Sequence, residues 1–80
     1  MNKVLLDQAC KAVSDVLKID ESTIPHDASI RNFSGWDSFA QVELMVFFSE
    51  KYGVEFSEEN FQRLSSISGI IGFLEIQNGE

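Results

Sequence analysis

Eighty residues with 44% apolar content, seven Phe and one Cys can form one small domain, residues 1–80, whose core is held by packing alone, because no internal disulfide is possible. A chain this short has little room for a deep catalytic pocket as well, and nothing in it resembles a cluster of metal ligands, so a binding, scaffold or carrier role is favoured over an enzyme. Its net charge of −7 repels DNA and RNA phosphates and suits basic protein partners, with no nucleic acid among them.

The opening Met1-Asn2-Lys3, a few apolar residues and then Asp7 do not read as a signal peptide. A first helix is predicted over residues 3–17, with Leu5, Ala9, Ala12, Val13 and Val16 at steps of three and four and Leu6 and Leu17 widening the stripe. Cys10 falls on its apolar side and reads as a small, unpaired core residue. Residues 19–36 form a long connection holding Pro25 and Gly35, in which Ile19, Ile24, Ile30, Phe33 and Trp36 are spaced as anchors. A connection of this length in so small a domain is often functional. His26, the one histidine, lies in it without a partner for catalysis.

A second helix is predicted from Asp37 or Ser38 to Tyr52, ended by Gly53. Ser57 followed by Glu58 and Glu59 opens a short helix to about Arg63. Ser65 or Ser66 caps a last helix carrying Ile67, Ile70, Ile71, Leu74 and Ile76 and fraying at Asn78-Gly79. Gly69 and Gly72 weaken it by about 1 kcal/mol each relative to Ala and allow close packing. The fold class is all-α: a four-helix bundle of three longer helices and one short one, with a long loop between the first two. The longest apolar run, Leu44-Met45-Val46-Phe47-Phe48, is far below the roughly 20 residues of a membrane span, and the expectation is a cytoplasmic monomer.

The second helix has two apolar faces. At about 100° per residue, Ala40, Leu44, Phe47 and Phe48 share the core sector, with Tyr52 at its edge. Phe39, Val42 and Val46 lie opposite, beside Glu43 and Glu50. Apolar groups flanked by carboxylates make a small protein-docking surface. Ser38 stands at the start of this helix. Periodicity leaves it a helix-start residue, either the cap or the first helical position after an Asp37 cap. Neither a Gly-x-Ser-x-Gly elbow nor an acid–His pair accompanies it. A phosphate on that hydroxyl would meet free backbone N–H groups and the positive end of the helix dipole.

The stretch Gly35-Trp36-Asp37-Ser38-Phe39-Ala40-Gln41-Val42-Glu43-Leu44 resembles the signature of acyl carrier proteins, an Asp-Ser-Leu segment followed by a Val-Glu-Leu-like run. The likeness extends to the first helix, to Ile19-Asp20-Glu21-Ser22-Thr23-Ile24, to Tyr52-Gly53-Val54-Glu55-Phe56 and to Ser66-Ile67. It implies an acyl-carrier-like bundle in which Ser38 accepts 4′-phosphopantetheine from coenzyme A through a separate magnesium-dependent phosphopantetheinyl transferase. The thiol of that arm holds acyl or aminoacyl groups as thioesters, loaded by a ligase or acyltransferase and presented to downstream biosynthetic enzymes. Asp37 matches the acid that contributes to transferase recognition and magnesium binding. Phe39, Val42, Glu43, Val46 and Glu50 make up the partner face.

Some residues depart from the family's usual pattern. Phe39 stands where fatty-acid-synthesis carriers usually have Leu, and Asp-Ser-Phe is similar to the D-alanyl carriers. Gly35-Trp36 resembles stand-alone carriers of specialised polyketide, aminoacyl or glycan-modifying pathways. Gln41 and Ser49 occupy positions where acids are common, so the second helix is less acidic than in housekeeping carriers. Phe47 and Phe48 match positions that are often smaller in carriers sequestering long chains, which implies a short or polar cargo, although Gly69 and Gly72 could restore volume. The competing reading is a helical interaction module with the same fold, never modified, using the Phe39/Val42/Val46 face.

Overall fold

The computed structural model describes residues 3–77, so the expected fraying at Asn78-Gly79 lies outside the described residues. Among the described residues four helices follow one another: α1 (Lys3–Leu17), α2 (Ser38–Tyr52), α3 (Glu58–Arg63) and α4 (Ile67–Gln77). A single 3-10 turn, Glu21–Thr23, interrupts the long connection. The architecture is all-helical, with three longer helices and one short one.

Each helix is bounded by local chemistry. Helix α1 ends where Lys18 takes a left-handed conformation at φ 60 and both Lys18 and Ile19 donate to the Ser14 carbonyl. Helix α2 ends at Gly53, whose φ of 72 suits a residue without a Cβ. Ser57 accepts from the Asn60 N–H to open α3, and Ser66 accepts from the Gly69 N–H to open α4. Such caps contribute about 1 kcal/mol each.

The core runs through all the elements. Leu5, Ala9, Cys10, Ala12 and Val13 of α1 are buried with Leu44, Met45 and Phe48 of α2 and Ile67, Ile70, Ile71 and Leu74 of α4. Fully burying one such large side chain is worth about 1.5–3 kcal/mol, so these residues dominate the stability of a bundle without a disulfide. Val16, expected in the stripe of α1, is half-buried, and Ile76 is exposed at the end of α4. The expected core sector of α2 is rotated: Met45 joins Ala40, Leu44 and Phe48 inside, whereas Phe47 is half-buried at the edge. Phe48 sits in an aromatic group, edge-on to Phe47 and Phe73 and stacked on Tyr52, with centroids 5.4, 5.6 and 5.7 Å away.

The 19–36 connection is ordered by its anchors and by backbone bonds. Ile24, Ala28 and Trp36 are buried, and Ile19, Ile30 and Phe33 pack on the core from its edge. The Ile30 N–H donates to the Ser65 carbonyl at 2.9 Å and the Ile67 N–H to the Ala28 carbonyl at 3.0 Å. The second bond satisfies a donor that the start of α4 would otherwise leave free. The two bonds clip the loop to the α3–α4 junction.

Gly69 and Gly72 are not equivalent. A Cβ on Gly69 would run into the Arg63 carbonyl, whereas one on Gly72 would meet nothing within 4 Å. The space that Gly69 vacates is therefore filled by the end of α3. It provides a close approach of α3 to α4 rather than room inside the bundle.

Candidate functional site

The start of α2 is built by three consecutive residues with different tasks. Trp36 is buried, and its backbone N–H closes a turn on the Phe33 carbonyl at 2.9 Å. Asp37 is the N-cap: its Oδ1 accepts from the Ala40 N–H at 2.8 Å. Ser38 is the first helical residue and is exposed. Of the two arrangements open from periodicity, the structure has Asp37 capping. The Ser38 hydroxyl is thereby left out of the capping bond.

Beside Ser38 runs an open cleft lined by Ile30, Arg31, Phe33, Trp36 and Asp37. Its walls are mixed: Ile30, Phe33 and Trp36 are apolar, Asn32 and Ser34 are polar, and the Arg31 guanidinium stands with the Asp37 carboxylate. The fit to a phosphodiester-linked arm rests on these features. The hydroxyl is accessible, the first-turn backbone donors of α2 and their dipole favour a phosphate, and Arg31 adds a cation to the cleft.

The strip expected from the sequence to be a partner face is exposed. Phe39, Val42 and Val46 are 72%, 46% and 41% exposed, and Glu43 and Glu50 are exposed alongside them. At about 100° per residue the five residues occupy a sector of about 100° along three turns of α2. Ser38 stands at the N-terminal end of that strip. The structure thus brings together every residue that the sequence marked as a candidate.

Sequence reasoning missed Gln41. Noted only as standing where acids are common, it is 0% exposed. Its Oε1 accepts from Trp36 Nε1 at 2.7 Å, and its Nε2 donates to the Phe61 carbonyl at 2.8 Å. That carbonyl lies in the last turn of α3, where Leu64 N–H turns to Asn60 and Gln62 and Ser65 N–H to Gln62. Phe61 would have an orphan acceptor without the Gln41 amide. Leaving any one of these buried groups unpaired would cost about 1–3 kcal/mol. The available signal was spacing: Gln41, Met45 and Phe48 stand at i, i+4 and i+7 on one buried line.

Comparison with known proteins shows the family. Residues 7–74 match the family model described as "Phosphopantetheine attachment site", a span that includes the whole α2 region. The chain belongs to the phosphopantetheine-attachment family of acyl carrier proteins. An acyl carrier protein of Solidesulfovibrio magneticus is 32% identical over 68 residues, covering 85% of this chain and 87% of that one. Acyl carrier proteins of Prochlorococcus marinus and Thermotoga maritima are 25% and 27% identical, covering 94% and 84% of this chain and 94% and 83% of theirs. This acyl carrier is a non-catalytic protein, and its family bears 4′-phosphopantetheine covalently. Acyl carriers work with a phosphopantetheinyl transferase and with biosynthetic enzymes. Among the described residues of this one, no helix is long and apolar enough to cross a membrane.

Proposed function

We propose that Ser38 is the attachment residue, that its 4′-phosphopantetheine arm holds acyl or aminoacyl groups as thioesters, and that the Phe39/Val42/Val46 face docks the enzymes that load and use them. The observation that carries this reading is the division of labour at the start of α2. Asp37 takes the capping bond, so the adjoining exposed hydroxyl is chemically available at one end of an apolar, acid-flanked strip. When attached, the arm supplies the reactive thiol. The protein's own residues supply its anchor, the dipole and cation that favour its phosphate, and the recognition surface.

In this reading Glu43 and Glu50 steer basic surfaces of the transferase, the loading ligase or acyltransferase, and the downstream enzymes. Phe39, Val42 and Val46 provide the apolar contact. Asp37 adds the carboxylate that the transferase and its magnesium read. The protein works as a cytoplasmic monomer, a single carrier unit over residues 1–80.

The test is incubation with coenzyme A, magnesium and a promiscuous phosphopantetheinyl transferase, followed by intact mass measurement. Wild type gains one arm, and Ser38→Ala gains none while remaining folded. Absence of an adduct with several transferases would favour the unmodified interaction module.

A further inference from the structure

We infer that Gln41, held between Trp36 and the Phe61 carbonyl, is a specificity-determining residue that closes the bundle interior to alkyl chains, so that this carrier presents short or polar cargo on its surface. The inference rests on the reading of Ser38 as the arm's anchor and adds the class of cargo that the arm bears.

An arm anchored at the first residue of α2 can deliver cargo into the bundle only along the seams that α2 makes with its neighbours. The seam with α3 is the one that Gln41 fastens. Its amide bonds the last turn of α3 on one side and the indole of Trp36 on the other, at 2.8 and 2.7 Å. Trp36 is itself buried and lies two residues before Ser38. An alkyl chain entering here would separate three hydrogen-bonding groups and offer none in return, because hydrocarbon neither donates nor accepts. A polar or very short acyl group has no need to enter, since water solvates it outside.

Beyond the seam the α4 side is filled, whereas on the α3 side an apolar depression lined by Met45, Phe56 and Phe61 stays open. Phe48 touches Phe47, Tyr52 and Phe73, and Tyr52 and Phe73 meet edge-on with centroids 5.5 Å apart. These rings bridge α2 to α4. Towards α4 a chain would have to displace rings already in mutual contact, which close-packed interiors resist, so on the α3 side the Gln41 bonds themselves are the barrier. The volume saved at Gly69 is taken by the Arg63 carbonyl, so it offers no compensating room.

The experiment transfers acetyl-, hexanoyl- and decanoyl-phosphopantetheine to Ser38 from the corresponding acyl-coenzyme A with magnesium and a promiscuous phosphopantetheinyl transferase, 3′,5′-adenosine bisphosphate leaving. It confirms each adduct by mass and compares thermal melting. The three wild-type forms are expected to melt within about 1 °C of one another, whereas each methylene withdrawn from water would raise the midpoint by about 3–6 °C. The protein has one Trp, so its indole N–H resonance reports directly on the Gln41 bond. Its protection from hydrogen exchange should be the same with all three cargoes. A wild-type midpoint that climbs with chain length, or indole protection lost on decanoylation, would overturn the inference.

In Gln41→Leu, which keeps the bulk and removes both bonds, the midpoint should rise from hexanoyl to decanoyl. Trp36→Phe removes one donor, keeps an aromatic ring and should show the same trend more weakly. A flat series in a folded variant would remove Gln41 from the role. Failure to gain mass at Ser38 is seen before any melt. It would overturn the carrier reading itself, and the cargo inference with it.

Discussion

The Asp37 carboxylate has two tasks that substitution can separate. Its Oδ1 caps α2 by accepting from the Ala40 N–H, and its charge is the group proposed for transferase and magnesium recognition. Asp37→Asn keeps a good N-cap and loses the charge, so its stability should stay within about 0.5 kcal/mol of wild type while transfer of the arm slows. Asp37→Ala should lose about 1 kcal/mol in urea denaturation as well as slowing transfer. Equal transfer rates for wild type and Asp37→Asn would confine Asp37 to capping. Ser38→Ala, by contrast, removes no capping bond and should leave the denaturation midpoint unchanged.

At the scale of the element, α4 holds two glycines that look alike in the sequence and behave differently in the bundle. Gly69→Ala places a methyl against the backbone carbonyl of Arg63, which cannot swing aside as a side chain can. Overpacking of this kind typically costs about 1–3 kcal/mol. Gly72→Ala meets nothing and should stabilise the protein by up to about 1 kcal/mol through helix propensity. Opposite shifts of the urea midpoint are the expected result, and a loss for both would contradict the open space at Gly72. Helix α2 was largely legible because caps and periodicity are local: a start at Asp37 or Ser38, the end at Gly53 and the Phe39/Val42/Val46 strip could all be read in order. Gln41 was not, because its partners are an indole outside the helix and a carbonyl twenty residues away.

For the whole molecule, Cys10 of α1 reports on how closed the core is. Burial holds its thiol above the ordinary value of 9.0, and the carboxylates of Glu21 and then Asp7 add in the same direction. The fold thus favours the protonated form. The resulting stabilisation is whole below the unfolded value and is lost as pH rises through the higher folded one. Alkylation at about pH 8 should be at least about a hundredfold slower in the native protein than in denaturant, since reaction needs both opening and ionisation. Mass-detected labelling at the unfolded rate in native buffer would show that the core does not close over α1.

The sequence by itself determined the helical class, the element order, the apolar stripe of α1, the Gly53 and Ser57 caps and the acid-flanked strip beside Ser38. Those follow from periodicity, capping chemistry and charge within a few residues of chain. Tertiary structure decided which of Asp37 and Ser38 caps α2, how the loop is clipped to the α3–α4 junction, which glycine is indispensable and that Gln41 is interior. The cap is a bond to Ala40 three residues on, a choice between two adjacent residues that periodicity left open. Each of the others depends on a donor, an acceptor or a volume brought from a distant part of the chain, and such pairings come into being only when the bundle closes.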